Sequence, residues 1–163
     1  MKICIEKLTC KTLPQAAVIW NRVVEDGTAF PQTEILSEEQ AWDFFESQTY
    51  TGVAVDGDSG DVAGVYILHP NNVGRCGHIC NASFAVRKDL RHQGVGECLI
   101  KDCQRQALKA GFKILQFNAV VESNHTALNL YKKLGFTPLG VIPKGFLNRN
   151  GVYENIIPHY IEL

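Results

Sequence analysis

The chain lacks several features that would narrow its role at once. No apolar run reaches membrane-spanning length, and the opening MKICIEKLTCK has no apolar signal-peptide region. A cytoplasmic protein with no membrane association is therefore expected. A basic excess is missing too. Sixteen Lys and Arg against 17 Asp and Glu give a formal charge of −1, without the footprint that duplex nucleic acid calls for. Internal repeats, low-complexity tracts and Pro/Gly/Ser linkers are absent, so residues 1–163 are read as one domain. No Gly-x-x-x-x-Gly-Lys-Ser/Thr run exists, which excludes a P-loop. The pair Gly94-Val95-Gly96 continues as Glu97-Cys98-Leu99, so the dinucleotide-binding Gly-x-Gly-x-x-Gly is incomplete.

Cysteine is not scarce. Cys4, Cys10, Cys76, Cys80, Cys98 and Cys103 make an even count, which invites a disulfide framework. The chain is long for a stapled mini-domain and shows no export signal, so free thiols are expected. Cys76, His78 and Cys80 have ligand-like spacing, but no second ligand pair is evident, and no metal is expected. Cys80 reads instead as a small hydrophobe in a strand. A cysteine nucleophile would need a His partner that spacing does not reveal.

What is present is an alternation of strand and helix signals. Residues 2–8 alternate polar and apolar. Residues 13–25 carry apolar positions at Ala16, Val18, Ile19, Trp20, Val23 and Val24, which suits a helix, and Asp26-Gly27 ends that run. Pro31 marks a loop, and Ser37 with Gln40 forms a capping box for a helix reaching about Ser47. Two strands flank the turn Asp56–Gly60. A strand at 78–86, a helix at 94–110, a strand at 113–121 and a helix opened by Asn124 follow. FTPLGVI and GVYENIIPHYIEL read as two closing strands. The order β-α-α-β-β-β-α-β-α-β-β predicts a mixed sheet covered by helices, α/β or α+β in class.

The stretch LRHQGVGECL raises the functional question. It puts Arg91, His92, Gln93, Gly94, Val95 and Gly96 between a strand and a helix. A helix N-terminus carries unpaired N–H groups and about half a positive charge, and glycine lets backbone approach an anion. A bound phosphate is one reading. A plain strand-to-helix turn is the other.

Arg91-x-x-Gly94-x-Gly96 resembles the Arg/Gln-x-x-Gly-x-Gly/Ala signature of the GNAT superfamily of N-acetyltransferases. The downstream segment ESNHTALNLYKKLGF resembles that family's second motif at Asn124, Ala127, Leu130, Tyr131, Gly135 and Phe136. The two motifs stand in family order, and the resemblance covers residues 60–142 well. It implies a mostly antiparallel central sheet of about seven strands flanked by about four helices. GTAFPQTEILSEEQ and the tail PKGFLNRNGVYENIIPHYIEL also resemble a branch that acetylates small amines, including phosphinothricin-type acceptors.

The resemblance implies acetyl-CoA as co-substrate, with its pyrophosphate on backbone N–H groups of 91–96. Its pantetheine arm would pair with the backbone of Phe84, Ala85 and Val86, admitted by a kink in that strand. Asn124 would meet the arm, or serve simply as an N-cap. Tyr131 lies two helical turns past Asn124 on the same face. The resemblance puts it beside the thioester sulfur as general acid; the structural alternative is a core aromatic. The carbonyl would be polarised by a main-chain N–H near Val86. For the general base, His78, Asn81, Ser83, Glu34, Glu122 and His159 stay open, as does a water relay to a carboxylate. The acceptor would be a small-molecule amine or a peptide: an amino acid or analogue, a polyamine, an aminoglycoside, or a protein amine. A homodimer stays open as the assembly. The reading from a different class is a non-catalytic acyl-CoA sensor of the same fold.

Overall fold

The computed structural model describes residues 2–163. In chain order the elements are β1 (Ile3–Lys7), α1 (Leu13–Asp26), α2 (Glu38–Glu46), β2 (Tyr50–Asp56), β3 (Val62–Pro70), β4 (Ile79–Val86), α3 (Val95–Lys109), β5 (Ile114–Phe117), α4 (His125–Lys133), β6 (Thr137–Pro138), β7 (Ile142–Leu147), β8 (Tyr153–Ile156) and β9 (His159–Glu162). Seven strands form one sheet in the order β1-β2-β3-β4-β5-β9-β6, and β7-β8 form a separate hairpin. Within the sheet only β4 and β5 run parallel. The expected mixed, mostly antiparallel seven-stranded sheet with four helices is what the chain builds. Among the described residues no helix is long and apolar enough to cross a membrane.

Local signals explain the helices. α1 buries Ala16, Ile19, Trp20, Val23 and Val24, one face at helical spacing. Pro14 sits in its first turn, and Gly27 closes it in the left-handed region at φ 60°, donating to Val23 and Val24 carbonyls. At α2 both halves of the capping box form: Gln40 N–H donates to Ser37 Oγ (3.2 Å), and Ser37 N–H donates to Gln40 Oε1 (3.0 Å). α1 and α2 cover one sheet face, with Trp20, Phe45, Val53 and Val65 at its core. α3 and α4 cover the other, over Leu99, Ile100, Leu115 and Phe117. The sheet is thus buried on both faces around β3 and β4, as a three-layer α/β domain requires.

The closing region differs from the sequence reading. The two expected strands become four. The first is interrupted after Pro138, which has no N–H to donate, and Gly140 follows at φ 124°. The second breaks at Ile157-Pro158, so β8 turns away to pair with β7 while β9 returns between β5 and β6. The strand expected over 113–121 is regular only to Phe117; beyond it a single bridge joins Val121 to Ile156.

Candidate active site

The site begins where two parallel strands part. β4 keeps an unbroken antiparallel register with β3 over seven pairs, from Gly64 with Val86 to Pro70 with Cys80. With β5 it pairs only at Ile79 and Cys80. β4 thus parts from β5, the next strand, while its ladder with β3 stays unbroken. Arg87 N–H donates to Ala63 O (2.9 Å), and Asn71 N–H donates to Ile79 O (2.9 Å). Antiparallel ladders alternate, so odd-numbered β4 residues turn their peptide groups to β3 and even-numbered ones turn theirs to β5. Lys113 N–H donating to His78 O fits the same parity.

Consequently Cys80, Ala82, Phe84 and Val86 point peptide groups toward β5, and β5 answers only the first. Ala82 N–H is taken by its neighbour, Asn81 Oδ1, at 2.7 Å. Phe84 and Val86 are left with N–H and C=O groups that find no strand partner among the described residues. Ala85, expected to share this role, is corrected by the same parity: its peptide groups pair with Val65 of β3. Unpaired strand backbone inside a protein needs a partner.

The glycine turn lies at the C-terminal end of β4. His92 (φ 64°) and Gly94 (φ 84°) both adopt the left-handed conformation, and Gly94 is the N-cap residue of α3. The first helical bond is Cys98 N–H to Gly94 O at 3.1 Å. The N–H groups of residues 91–97 have no hydrogen-bond partner among the described residues. That row of free donors at a helix N-terminus, the anion cradle, has the geometry that suits an anion. Gln93 Nε2 donates to Asp89 O (3.2 Å), and Arg91 lies 3.9 Å from Asp26 at the end of α1. A Cβ at Gly94 would meet nothing within 4 Å, whereas one at Gly96 would come 3.3 Å from Leu130 Cδ2 of α4. Gly94 is thus needed for its angle and Gly96 for the close approach of α3 to α4. Glu97 joins those helices by accepting from Lys101 and Lys133; these two hydrogen bonds hold its carboxyl down to about 2.

α4 starts from Asn124, whose Oδ1 accepts from Ala127 N–H at 3.2 Å. The N-cap reading therefore holds, and its side-chain NH2 has no partner among the described residues. Tyr131 packs between Phe117 (ring centroids 4.6 Å), Phe136 (5.5 Å) and His159 (5.6 Å). Phe84 reaches the same cluster, edge-on to Phe117 at 5.8 Å. The structure thus joins the Tyr131 ring to the side chain of Phe84 through a single intervening ring. No protein group bonds the Tyr131 hydroxyl among the described residues, and burial pushes its pKa well above the usual phenol range, with Cys103 adding to the rise.

The candidate bases fare differently. His78 is exposed at the closed end of β4, eight residues or about 26 Å of strand from Val86. Asn81 is occupied with Ala82, and Ser83 lies opposite Ile67. Glu34 is exposed in the loop after α1. Glu122, just beyond β5, accepts from Asn155 Nδ2 (2.9 Å). His159 is buried against Tyr131, with Nδ1 2.6 Å from Ile157 O. Cys80 faces the core, its Sγ 3.2 Å from Ile114 O, and burial pushes its thiol up to about 12. Cys76 sits apart and exposed in a short 3-10 turn. Among the described residues no group of three His, Cys, Asp or Glu side chains converges on a metal position.

Sequence reasoning missed two parts of the support. Tyr66, in β3, donates to the buried Asp102 of α3 at 2.7 Å, and Arg105 donates to the other carboxylate oxygen at 2.7 Å. Thirty-six residues separate Tyr66 from Asp102, and no local pattern announces the pair. The second is the β7-β8 hairpin. Its tip reaches the turn after α1, where Arg149 N–H donates to Gly27 O (3.1 Å), while β8 is tied to the segment after β5 by Glu122 N–H to Asn155 O (2.9 Å). The 27–36 loop and the C-terminal tail therefore meet, as a pocket built from both would require.

Comparison with known proteins adds a lineage to this geometry. The sequence model of the Acetyltransferase (GNAT) family matches residues 19–136. N-acetyltransferase aca1 of Schizosaccharomyces pombe is 31% identical over 137 residues, covering 75% of this chain and 66% of that protein. The chain thus spans just under two thirds of that relative's length. A GCN5-related N-acetyltransferase from Kribbella flavida is 31% identical, with a TM-score of 0.89 over 99% of this chain and 98% of that one. A phosphinothricin acetyltransferase from Sinorhizobium meliloti, solved with acetyl-CoA, is 18% identical with a TM-score of 0.90, covering 100% and 89% of the two chains. At that identity the likeness is one of fold.

Proposed function

Since the chain belongs to the Acetyltransferase (GNAT) family, we propose that it is an acetyl-CoA-dependent N-acetyltransferase acting on a primary amine of a small molecule or peptide. One observation carries this reading. The peptide groups of Phe84 and Val86 lie unpaired in the gap between β4 and β5, and the gap ends at the free N–H groups of residues 91–97. That arrangement suits a ligand with an amide-bearing arm and a pyrophosphate, which are the parts of acetyl-CoA the protein would hold.

Acetyl-CoA supplies an acetyl group activated as a thioester. The chain's own residues then have three tasks. The N–H groups of 91–97 hold the pyrophosphate, with Arg91 alongside. Phe84 and Val86 pair with the arm, and an N–H at this edge faces the developing oxyanion, a preorganised donor that needs no reorientation during reaction. The neutral acceptor nitrogen bonds to the acetyl carbon, the carbon–sulfur bond breaks as Tyr131 gives its hydroxyl proton to the departing sulfur, and the proton shed by the nitrogen passes through water to restore the phenol. A phenol, ordinarily about 10 and raised here by burial, is protonated at neutral pH. The amine attacks directly in this reading; the buried Cys80 and Cys103 are both shifted away from the thiolate and make poor nucleophiles.

The test is formation of CoA and acetylated product, read by chromatography, from acetyl-CoA and a panel of amino acids, polyamines, aminoglycosides and peptide amines. Chromatography is preferable to a thiol reagent, because four of the protein's own cysteines are exposed. Tight acetyl-CoA binding without turnover on any amine would replace the enzyme by an acyl-CoA sensor.

A further inference from the structure

A second groove lies on the opposite side of the glycine turn. It encloses about 700 Å³ between α1 and the segment running from Val86 to Arg91. None of its walls comes from β5, α4 or residues 92–97; it shares only Val86 and Arg91 with the β4–β5 gap and the row of donors that follows it. Its floor is apolar: Ile19, Val23, Val62 and Val86. Val18 stands on its α1 wall and is 70% exposed, an unusual position for a large aliphatic side chain. Its rim is basic. Arg22, Arg87, Lys88 and Arg91 line it against one acid, Asp89. Among the described residues Asp89 is paired with Arg87 at 2.9 Å, Arg22 and Arg91 have only long ion pairs of 3.5–4.0 Å, and Lys88 has none. A chain of net charge −1 thus gathers four cations around one apolar trough. That charge distribution selects an anion, and the floor selects an apolar body attached to it.

We propose that this groove is a second ligand site, which binds a small organic anion with an apolar body and weakens acetyl-CoA binding when filled. The apolar body lies on Val18, Ile19 and Val23, and the anionic group lies among Arg22, Lys88 and Arg91. The coupling rests on the cofactor reading above and runs through Arg91, which lines this groove and also begins the anion cradle. Negative charge placed beside Arg91 from one side diminishes its attraction for a phosphate on the other, and by linkage the effect is mutual.

The probe is anilinonaphthalene sulfonate, an aromatic sulfonate that fluoresces on an apolar surface. One saturable site is expected on the folded protein. Val18→Trp, which fills the trough from an exposed helix position, and Arg22→Glu, which reverses one rim charge, should each weaken the probe at least tenfold. Either variant serves if the other fails to fold, and neither should alter acetyl-CoA affinity without the probe. Saturating probe should raise the dissociation constant for CoA about two- to tenfold without abolishing binding. Unchanged probe affinity in the folded variants, complete displacement of the probe by CoA, or a CoA affinity indifferent to the probe would each overturn the proposal.

Discussion

Replacing Gly94 by Ala tests the anion cradle at the point where its geometry is set. A Cβ at Gly94 would touch nothing within 4 Å, so the substitution adds no clash. The cost is conformational. At φ 84° an L-residue loses about 1–2 kcal/mol relative to the right-handed region, and the stiffer unfolded chain offsets about 0.4–1 kcal/mol. A net loss near 1 kcal/mol leaves a domain of ordinary stability folded. To escape the strain the peptide rotates, and N–H groups of 94–96 cease to converge. A pyrophosphate then loses one or more charge-assisted hydrogen bonds, worth about 1.5–3 kcal/mol, or about 10- to 150-fold in dissociation constant. Gly94→Asn should retain more affinity, because Asn tolerates the left-handed region. Gly96→Val should also lower affinity, for a different reason: its branches enter the space beside Leu130 and Val86 at an overpacking cost of about 1–3 kcal/mol. The assay pairs urea unfolding followed by circular dichroism with titration calorimetry of acetyl-CoA and of CoA. Both ligands should weaken alike, since the acetyl end is not involved. A folded Gly94→Ala protein with unchanged affinity would refute the cradle, and so would a loss confined to acetyl-CoA.

Two further outcomes follow from the phenols of Tyr66 and Tyr131. Tyr131→Phe keeps the ring packing against Phe117 and Phe136 and should lower kcat toward the low end of the 10²–10⁴-fold range for positioned proton transfer, with little change in acetyl-CoA affinity; wild-type turnover with chemistry rate-limiting would make Tyr131 a packing residue. Burial also raises the Tyr66 and Tyr131 pKa values, and Tyr66 is raised further by its hydrogen bond to Asp102. A raised folded-state value gives stability that is complete below the unfolded phenol pKa of about 10 and is lost as pH climbs above it. Tyrosinate absorbance at alkaline pH should therefore show a delayed fraction that appears only together with loss of the circular dichroism signal; full ionisation of all five tyrosines in a still-folded protein would contradict this.

The parts legible in the sequence are those fixed by neighbours. Ser37 and Gln40 specify the start of α2 within four residues, Asn124 caps α4, and Gly27 ends α1, and each does so through short-range hydrogen bonds. β1 shows in its alternation, and β2 to β5 show as short apolar runs bounded by turn residues. The hairpin was not legible, because its position depends on distant partners: Val121 for Ile156, and Gly27 for Arg149. Asp102 reads as a surface residue of α3 until Tyr66 reaches it from β3. At the site, the glycine turn and Tyr131 stand in the sequence as a motif. Which of Phe84, Ala85 and Val86 offers its peptide groups does not, since that parity is set by the ladder to β3 rather than by side chains.

The unpaired edge of β4 also bears on how long the protein survives. On the proposed reading, the peptide groups of Phe84 and Val86 that β5 leaves unpaired take a ligand arm, and only the folded chain presents them side by side. A ligand lying there acts as a removable strand. It raises resistance to unfolding by RT ln(1 + [L]/Kd), about 2.7 kcal/mol at a hundredfold excess over Kd. Heat tolerance and protease lifetime then become readings of cofactor supply: a starved molecule opens first where its sheet is already incomplete, between β4 and β5.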